Sequence, residues 1–119
     1  MKKTVVIGAS PDEGRYSNMA VRLLKEHGHE VIPIGTRRGE IAGLTIENGQ
    51  PSIAGTHTVS LYINALRQPE LYAYIMGLNP QRIIFNPGTE NGEFEKLASD
   101  QGIETLEACT LVMLRTGQY

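Results

Sequence analysis

Three loops of this sequence carry residues able to grip an anion. The first is VVIGASPDEGRYSN, Val5 to Asn18, where a β-branched run stops at Gly8 and the small residues Ala9 and Ser10 follow. A helix is predicted to open at Ser17, a good N-cap residue, with Asn18 beside it. Small residues let a ligand reach the backbone, and a helix N-terminus turns free N–H groups and positive potential into the same space. The two common phosphate fingerprints do not fit. G-x-G-x-x-G needs glycine where Ser10 and Glu13 stand, and G-x-x-x-x-G-K-[ST] needs Gly14 one residue earlier and other residues than Arg15-Tyr16. Asp12 and Glu13 repel a phosphate unless they face solvent. A tight strand-to-helix turn without a ligand also accounts for Gly8 and Ser10.

The second loop, IGTRRGE, follows a short strand at the place where a nucleotide-binding α/β fold sets its ribose chemistry. Arginine there accommodates a ribose phosphate, so Arg37 and Arg38, after Gly35-Thr36, point to a phosphorylated adenosine rather than plain NAD. Adjacent arginines also occur as ordinary solvated surface. The fourth loop, NPGTENGE, sets Asn86, Pro87, Gly88 and Thr89 before another helix start, with donors and a close backbone approach suited to a polar tail or a pyrophosphate. Simple turn chemistry explains the same residues. Catalytic groups are not legible. His27 and His29 flank a helix end, His57 begins a strand at the opposite edge, and Cys109 sits in the apolar run ACTLVML as a buried small side chain. No nucleophile–base arrangement, acid/base carboxylate pair or metal-ligand spacing stands out, and Tyr62, Tyr72 and Tyr74 are taken as core or interface aromatics. The residues describe a binder more than a catalyst.

The elements that position these loops alternate. Strands are predicted over residues 4–7, 31–34, 58–63, 82–85 and 103–106, and helices from Ser17 to Gly28, from Pro69 to Leu78 and from Phe94 to Gly102. A hairpin is expected at Asn48-Gly49, and the tail from Cys109 to Leu114 is a final helix or coil. This is an α/β pattern: a three-layer, Rossmann-like open parallel sheet of about five strands, helices on both faces, and a small β-hairpin excursion. Ligands in such sheets bind beyond the strands' carboxyl ends, which places Gly8–Tyr16, Gly35–Glu40, Asn64–Gln68 and Asn86–Glu93 along one edge. The 119 residues suit one domain, with a formal charge of −2 that argues against a general nucleic-acid binder. No apolar run approaches the roughly 20 residues of a membrane span. A single cysteine fits a reducing cytoplasm.

In their order and spacing these segments resemble the CoA-binding protein family, small single-domain relatives of the CoA-binding domain of succinyl-CoA synthetase α-subunits. The likeness is carried by VVIGAS, then RYSN from Arg15 to Asn18, GHEVIPIGTRRGEIAG from Gly28 to Gly43, RIIFNPGTENGEFEKLASDQGIE from Arg82 to Glu104, and EACTLVML. It implies a Rossmann-like fold binding coenzyme A, with the adenosine and its phosphates over the first two loops. By position, Gly8, Ala9 and Ser10 approach the pyrophosphate, Arg15 to Asn18 open the helix beside it, Arg37 attracts the ribose 3′-phosphate or pyrophosphate, and Asn86 to Thr89 face the pantetheine. The chain departs from the family at Gly35-Thr36, where Asn-Pro is usual, and at Ser60, where an acidic residue is frequent. The synthetases' phosphoryl-transfer histidine is carried on another domain, so their reaction is not inherited. The expectation is therefore a non-catalytic small-molecule nucleotide binder with CoA or an acyl-CoA as ligand and a homodimer as its candidate assembly. The alternatives are an NADP-dependent or other nucleotide-using enzyme, and a regulatory or interaction subunit without ligand.

Overall fold

The computed structural model describes residues 1–119. In chain order it contains β1 (Thr4–Ile7), α1 (Tyr16–Glu26), β2 (Val31–Ile34), β3 (Glu40–Ile41), β4 (Leu44–Thr45) and β5 (Thr58–Leu61). Two 3-10 turns, Ala65–Arg67 and Pro69–Leu71, lead into α2 (Tyr72–Gly77), followed by β6 (Arg82–Phe85), α3 (Gly92–Asp100), β7 (Glu104–Glu107) and α4 (Thr110–Arg115). Five strands form one parallel sheet in the order β2-β1-β5-β6-β7, and β3 and β4 make a separate antiparallel pair. The chain runs outward from β1 to β2, then returns across β1 to β5, so the strand order reverses at β1. No helix is long and apolar enough to cross a membrane.

The central strands β1, β5 and β6 are buried along their whole length because both faces are covered, while the edge strand β7 is half-exposed. Alternate residues sort cleanly. Val5, Ile7, Val59, Leu61, Ile83 and Phe85 face α2 and α3, packing on Ile75, Phe94 and Ala98. Val6, Val31 and Ile84 face α1 and α4, packing on Val21, Leu24, Met113 and Leu114. Phe94 stacks on Tyr72 with ring centres 4.3 Å apart and meets Phe85 edge-on at 5.8 Å. Each such fully buried side chain contributes on the order of 1.5–3 kcal/mol of apolar transfer. The second face is partly polar: Arg82 donates to Thr58 Oγ1 at 2.8 Å and to the Tyr119 carbonyl at 2.9 Å.

In α1, Ser17, Ala20, Val21 and Leu24 recur at helical spacing and form its buried stripe. The helix closes at Gly28 in a Schellman pattern, Gly28 N–H donating to Lys25 O and His29 N–H to Leu24 O. Its start differs from expectation. Asp12 accepts the Gly14 N–H through Oδ1 and the Arg15 N–H through its carbonyl, making a turn that begins the helix at Tyr16. Arg15 is the N-cap, with no side-chain cap, and Ser17 is buried in the first turn.

The hairpin is also displaced. Its two-residue turn is Ala42-Gly43, both with positive φ (51° and 83°), as a type I′ connection requires. The Asn48-Gly49 pair lies beyond the hairpin, where Glu47 bridges to Ile34 along the edge of β2. The segment that was expected as one helix from Pro69 begins instead as 3-10 turns, and β5 ends at Leu61 rather than Ile63. The fifth strand of the sheet spans Glu104–Glu107, one residue later than expected at both ends, and the tail closes as α4.

Asn86, at the carboxyl end of β6 and 1% exposed, ties three elements together. Its Nδ2 donates to Ser60 Oγ (2.9 Å) and Leu61 O (2.8 Å), and its Oδ1 accepts the Thr110 N–H at the start of α4 (2.9 Å). Ser60 and Thr110 hydroxyls complete the cluster at 2.8 Å. Asn86→Ala leaves buried groups on β5 and α4 unpaired and is expected to lower stability by about 2–4 kcal/mol in urea unfolding. A loss below about 1 kcal/mol would show that the cluster does not hold these elements.

Candidate functional site

The carboxyl ends of β1, β2, β5 and β6 open into one crevice of about 910 Å³. That volume lies within the roughly 300–1,000 Å³ usual for small-molecule sites. Its floor is laid by backbone. Gly8 and Ala9 both donate their N–H to Ile34 O at 2.9 Å, which fastens the first loop to β2. Gly8 has φ +94°, and a Cβ on it would stand 2.9 Å from the Tyr62 carbonyl. Gly35 is tighter still: a Cβ there would fall 2.2 Å from Ala9 O. Two loops therefore meet through bare backbone, leaving peptide groups rather than side chains at the bottom.

Above this floor lies a row of donors without protein acceptors. The N–H groups of Ser10, Tyr16 and Ser17 bond to no other group, the latter two because α1 begins without a side-chain cap. All three residues line the crevice beside the positive end of the helix. Arg15, Arg37 and Arg67 are the cationic residues of the lining. Arg15 lies 3.9 Å from Asp12, an exposed and loose pair, whereas Arg37 and Arg67 form no ion pair. Asp12 faces back into its own turn, and Glu13 lies outside the lining.

Twelve of the fifteen expected site residues meet here: Gly8, Ala9, Ser10, Arg15, Tyr16, Ser17, Gly35, Thr36, Arg37, Pro87, Gly88 and Thr89. Asn18, Arg38 and Asn86 do not line it. Asn18 is buried, donating to Ser10 O at 2.9 Å and accepting from Arg22 Nε at 2.7 Å, so it holds the first loop from below. Arg38 is exposed, as Arg37 is, but off the crevice. The Asn86 carboxamide is consumed within the protein, and Thr89 Oγ1 is engaged by Asn86 O at 2.8 Å.

Other residues enter unannounced. Asn48 lines the crevice and donates to Gly35 O (2.7 Å) and Arg37 O (3.3 Å), pinning the loop that carries Arg37. Its pairing with Gly49 marked a turn, and nothing in the spacing showed which loop it would hold. The third loop supplies Ile63, Asn64 and Arg67, with Glu70 and Leu71 behind them. It is anchored by Gln68, which is fully buried and donates from Nε2 to Ile63 O (3.0 Å) and Thr89 O (2.8 Å). Gln68 Oε1 accepts from Asn91, which in turn caps α3 by accepting the Phe94 N–H. Tyr62, taken as a core or interface aromatic, also lines the crevice, while its hydroxyl is buried without a hydrogen-bond partner. Burial pushes that phenol well up from its ordinary value, so it stays neutral.

The remaining reactive groups lie elsewhere. His29 and His57 sit at the amino ends of the strands, bonded to the Lys2 N–H and the Thr58 hydroxyl, and burial lowers both. Cys109, expected to be buried, is partly exposed at the N-cap of α4 and outside the crevice lining. No three His, Cys, Asp or Glu side chains gather as metal ligands. The site offers the free hydrogen-bond donors with Arg15 and Arg37 on one flank, and Tyr62, Ile63, Leu71 and Pro87 with the lone cation Arg67 on the other. That division suits an anionic head with a less polar tail.

Residues 2–115 match the model of a protein family described as the CoA binding domain. The chain belongs to this CoA-binding family. A solved structure of an uncharacterised protein is 52% identical, with TM-score 0.98, covering 100% of this chain and 98% of its own. A protein from Thermus thermophilus (20% identity, TM-score 0.86, 99% and 90% covered) shares the fold. So does one from Pyrococcus horikoshii (24% identity, TM-score 0.85, 97% and 82% covered). No curated protein matches the sequence. CoA-family membership agrees with the Rossmann-like architecture, whose order reversal at β1 lies under the crevice.

Gly35→Ala drives a methyl into the Ala9 carbonyl and must part the first two loops. It is expected to cost about 1–3 kcal/mol in thermal or urea unfolding. An unchanged midpoint would show that the loops are not in fixed contact.

Proposed function

We propose that this chain is one domain that binds coenzyme A or an acyl-CoA at the crevice over β1, without itself carrying out a reaction. The observation that carries the reading is the coincidence, in a member of the CoA-binding family, of the unpaired N–H groups at Ser10, Tyr16 and Ser17 with the unpaired guanidinium of Arg37. In this reading the pyrophosphate lies over Gly8, Ala9 and Ser10, against the start of α1 and Arg15. Arg37, held by Asn48, takes the ribose 3′-phosphate, a group for which a planar, permanently charged guanidinium is well shaped. Tyr16, 70% exposed at the crevice mouth, is free to lie against the adenine. The pantetheine runs toward Pro87, Gly88 and Thr89.

NADP shares the phosphorylated adenosine and the diphosphate, so it is the proper competitor in the test. Calorimetric titration with CoA, dephospho-CoA and NADP is expected to give the tightest binding for CoA. Arg37→Ala should weaken CoA about tenfold while changing dephospho-CoA little, the loss of one charge-assisted contact. Failure of the wild type to bind CoA would overturn the function, and equal weakening of both ligands would overturn the role of Arg37. A homodimer belongs to the same proposal, resting on β7, an edge strand without a neighbour on its outer side. Native mass spectrometry reads the subunit number and the bound mass together.

A further inference from the structure

The crevice has cations on both flanks of β1, and the proposed ligand accounts for only one set. Arg15 and Arg37 stand on the first and second loops, beside the free N–H groups of Ser10, Tyr16 and Ser17. Arg67 stands on the third loop, after β5, on the other side of β1. Adjacent strands are about 4.8 Å apart, so the loops after β2 and β5 are separated by about 10 Å at the sheet edge. The surroundings of Arg67 are those of the tail: Ile63, Leu71 and Pro87 line the same flank. Pantetheine is uncharged. A guanidinium placed there has no phosphate to meet when the phosphates occupy the first two loops.

The protein does not satisfy Arg67 either. Its backbone N–H is bound to Asn64, which fixes the turn, but its guanidinium forms no hydrogen bond and no ion pair. Glu70 shares the rim without pairing to it. Arg67 is thus carried on a well-anchored loop, with Gln68 buried beneath, and its charge is left for something outside the chain.

Resting on the CoA reading, we infer that Arg67 is a specificity residue for a coenzyme A thioester whose acyl group ends in a carboxylate. The carboxylate accepts from the guanidinium in a charge-assisted contact at the tail end of the crevice. Small uncharged acyl groups lack that contact.

The test compares CoA, acetyl-CoA, malonyl-CoA and glutaryl-CoA by calorimetry on the full chain, in the wild type and in Arg67→Gln and Arg67→Lys. The Arg67 side chain holds no part of the fold, so both variants should unfold as the wild type does. At least one of the two carboxylate-bearing thioesters is expected to bind about tenfold more tightly than acetyl-CoA. Arg67→Gln should abolish that preference while leaving CoA and acetyl-CoA unchanged, and Arg67→Lys should keep part of it. No preference in a wild type that binds CoA overturns this inference and leaves the CoA reading standing. Equal weakening of all four ligands by Arg67→Gln also overturns it, since Arg67 would then serve the phosphates. A wild type that binds none of the four overturns both.

Discussion

The carboxyl edge of this sheet depends on the buried carboxamide of Asn86. Parallel strands end in loops that have no ladder to hold them, and here four such ends must keep a fixed spacing if they are to share one ligand. Asn86 joins β6 to β5 through Ser60 and Leu61 and to α4 through the Thr110 N–H. Its own carbonyl accepts from Thr89, which sets the fourth loop. Gln68 repeats the device one layer out, bridging Ile63 on the third loop to Thr89 on the fourth. Both side chains use donors and acceptors together, so neither can be replaced by an apolar residue without orphaning a buried partner. The two amides do for the loops what strand pairing does for the sheet.

That rigidity matters because the first two loops, tied from behind by Asn18 and Asn48, meet each other by close backbone approach. Gly35 against Ala9 and Gly8 against Tyr62 leave no room for a Cβ. With the floor made of backbone, the N–H groups above it stay in place before any ligand arrives. A preformed site spares the ligand the entropy of ordering a loop. It also explains how a chain with formal charge −2 presents an anion site. Asp12 is folded into its own turn, and the absence of a side-chain cap on α1 leaves the helix donors unspent.

How legible this was in the sequence follows the kind of force involved. The central strands were plain because burial on both faces demands continuous apolar or β-branched runs, as in TVVI and RIIF, whereas the half-exposed edge strand ETLE gave weaker bounds. Twelve crevice residues were within reach because loops at the carboxyl ends of parallel strands converge by topology. Asn18 and Asn86 lie behind the crevice lining for one shared reason. An asparagine beside a turn is equally good at facing a ligand and at tying the turn from behind, and only the three-dimensional partners decide. Asn48 and the I′ turn at Ala42-Gly43 failed together: Asn-Gly is the stronger hairpin signal, yet alanine took the positive φ at 51°. The third loop drew little notice because NALRQ has no glycine and no motif, and Gln68 shows its importance only when its burial is known.

The same contrast bears on the two unpaired arginines. Arg37 was conspicuous because it follows β2, where nucleotide folds place their ribose-recognising residue, and because a second arginine stands next to it. Arg38, however, lies outside the crevice lining, so doubling of charge in the sequence did not mean doubling in the site. Arg67 had no such position to recommend it, yet it lines the crevice with its guanidinium unspent. Charge alone does not separate these three residues. What separates them is place: Arg37 and Arg67 line the crevice on backbone held by Asn48 and by Asn64 and Gln68, whereas Arg38, on the same loop as Arg37, lies outside the lining. A cation on a fixed loop carries directional information that a cation on a free surface lacks, because its position relative to the neighbouring donors is set by the fold. Two anchored cations on opposite flanks of β1 therefore define an axis across the sheet edge, and a ligand charged at one end alone would leave half of that axis unused.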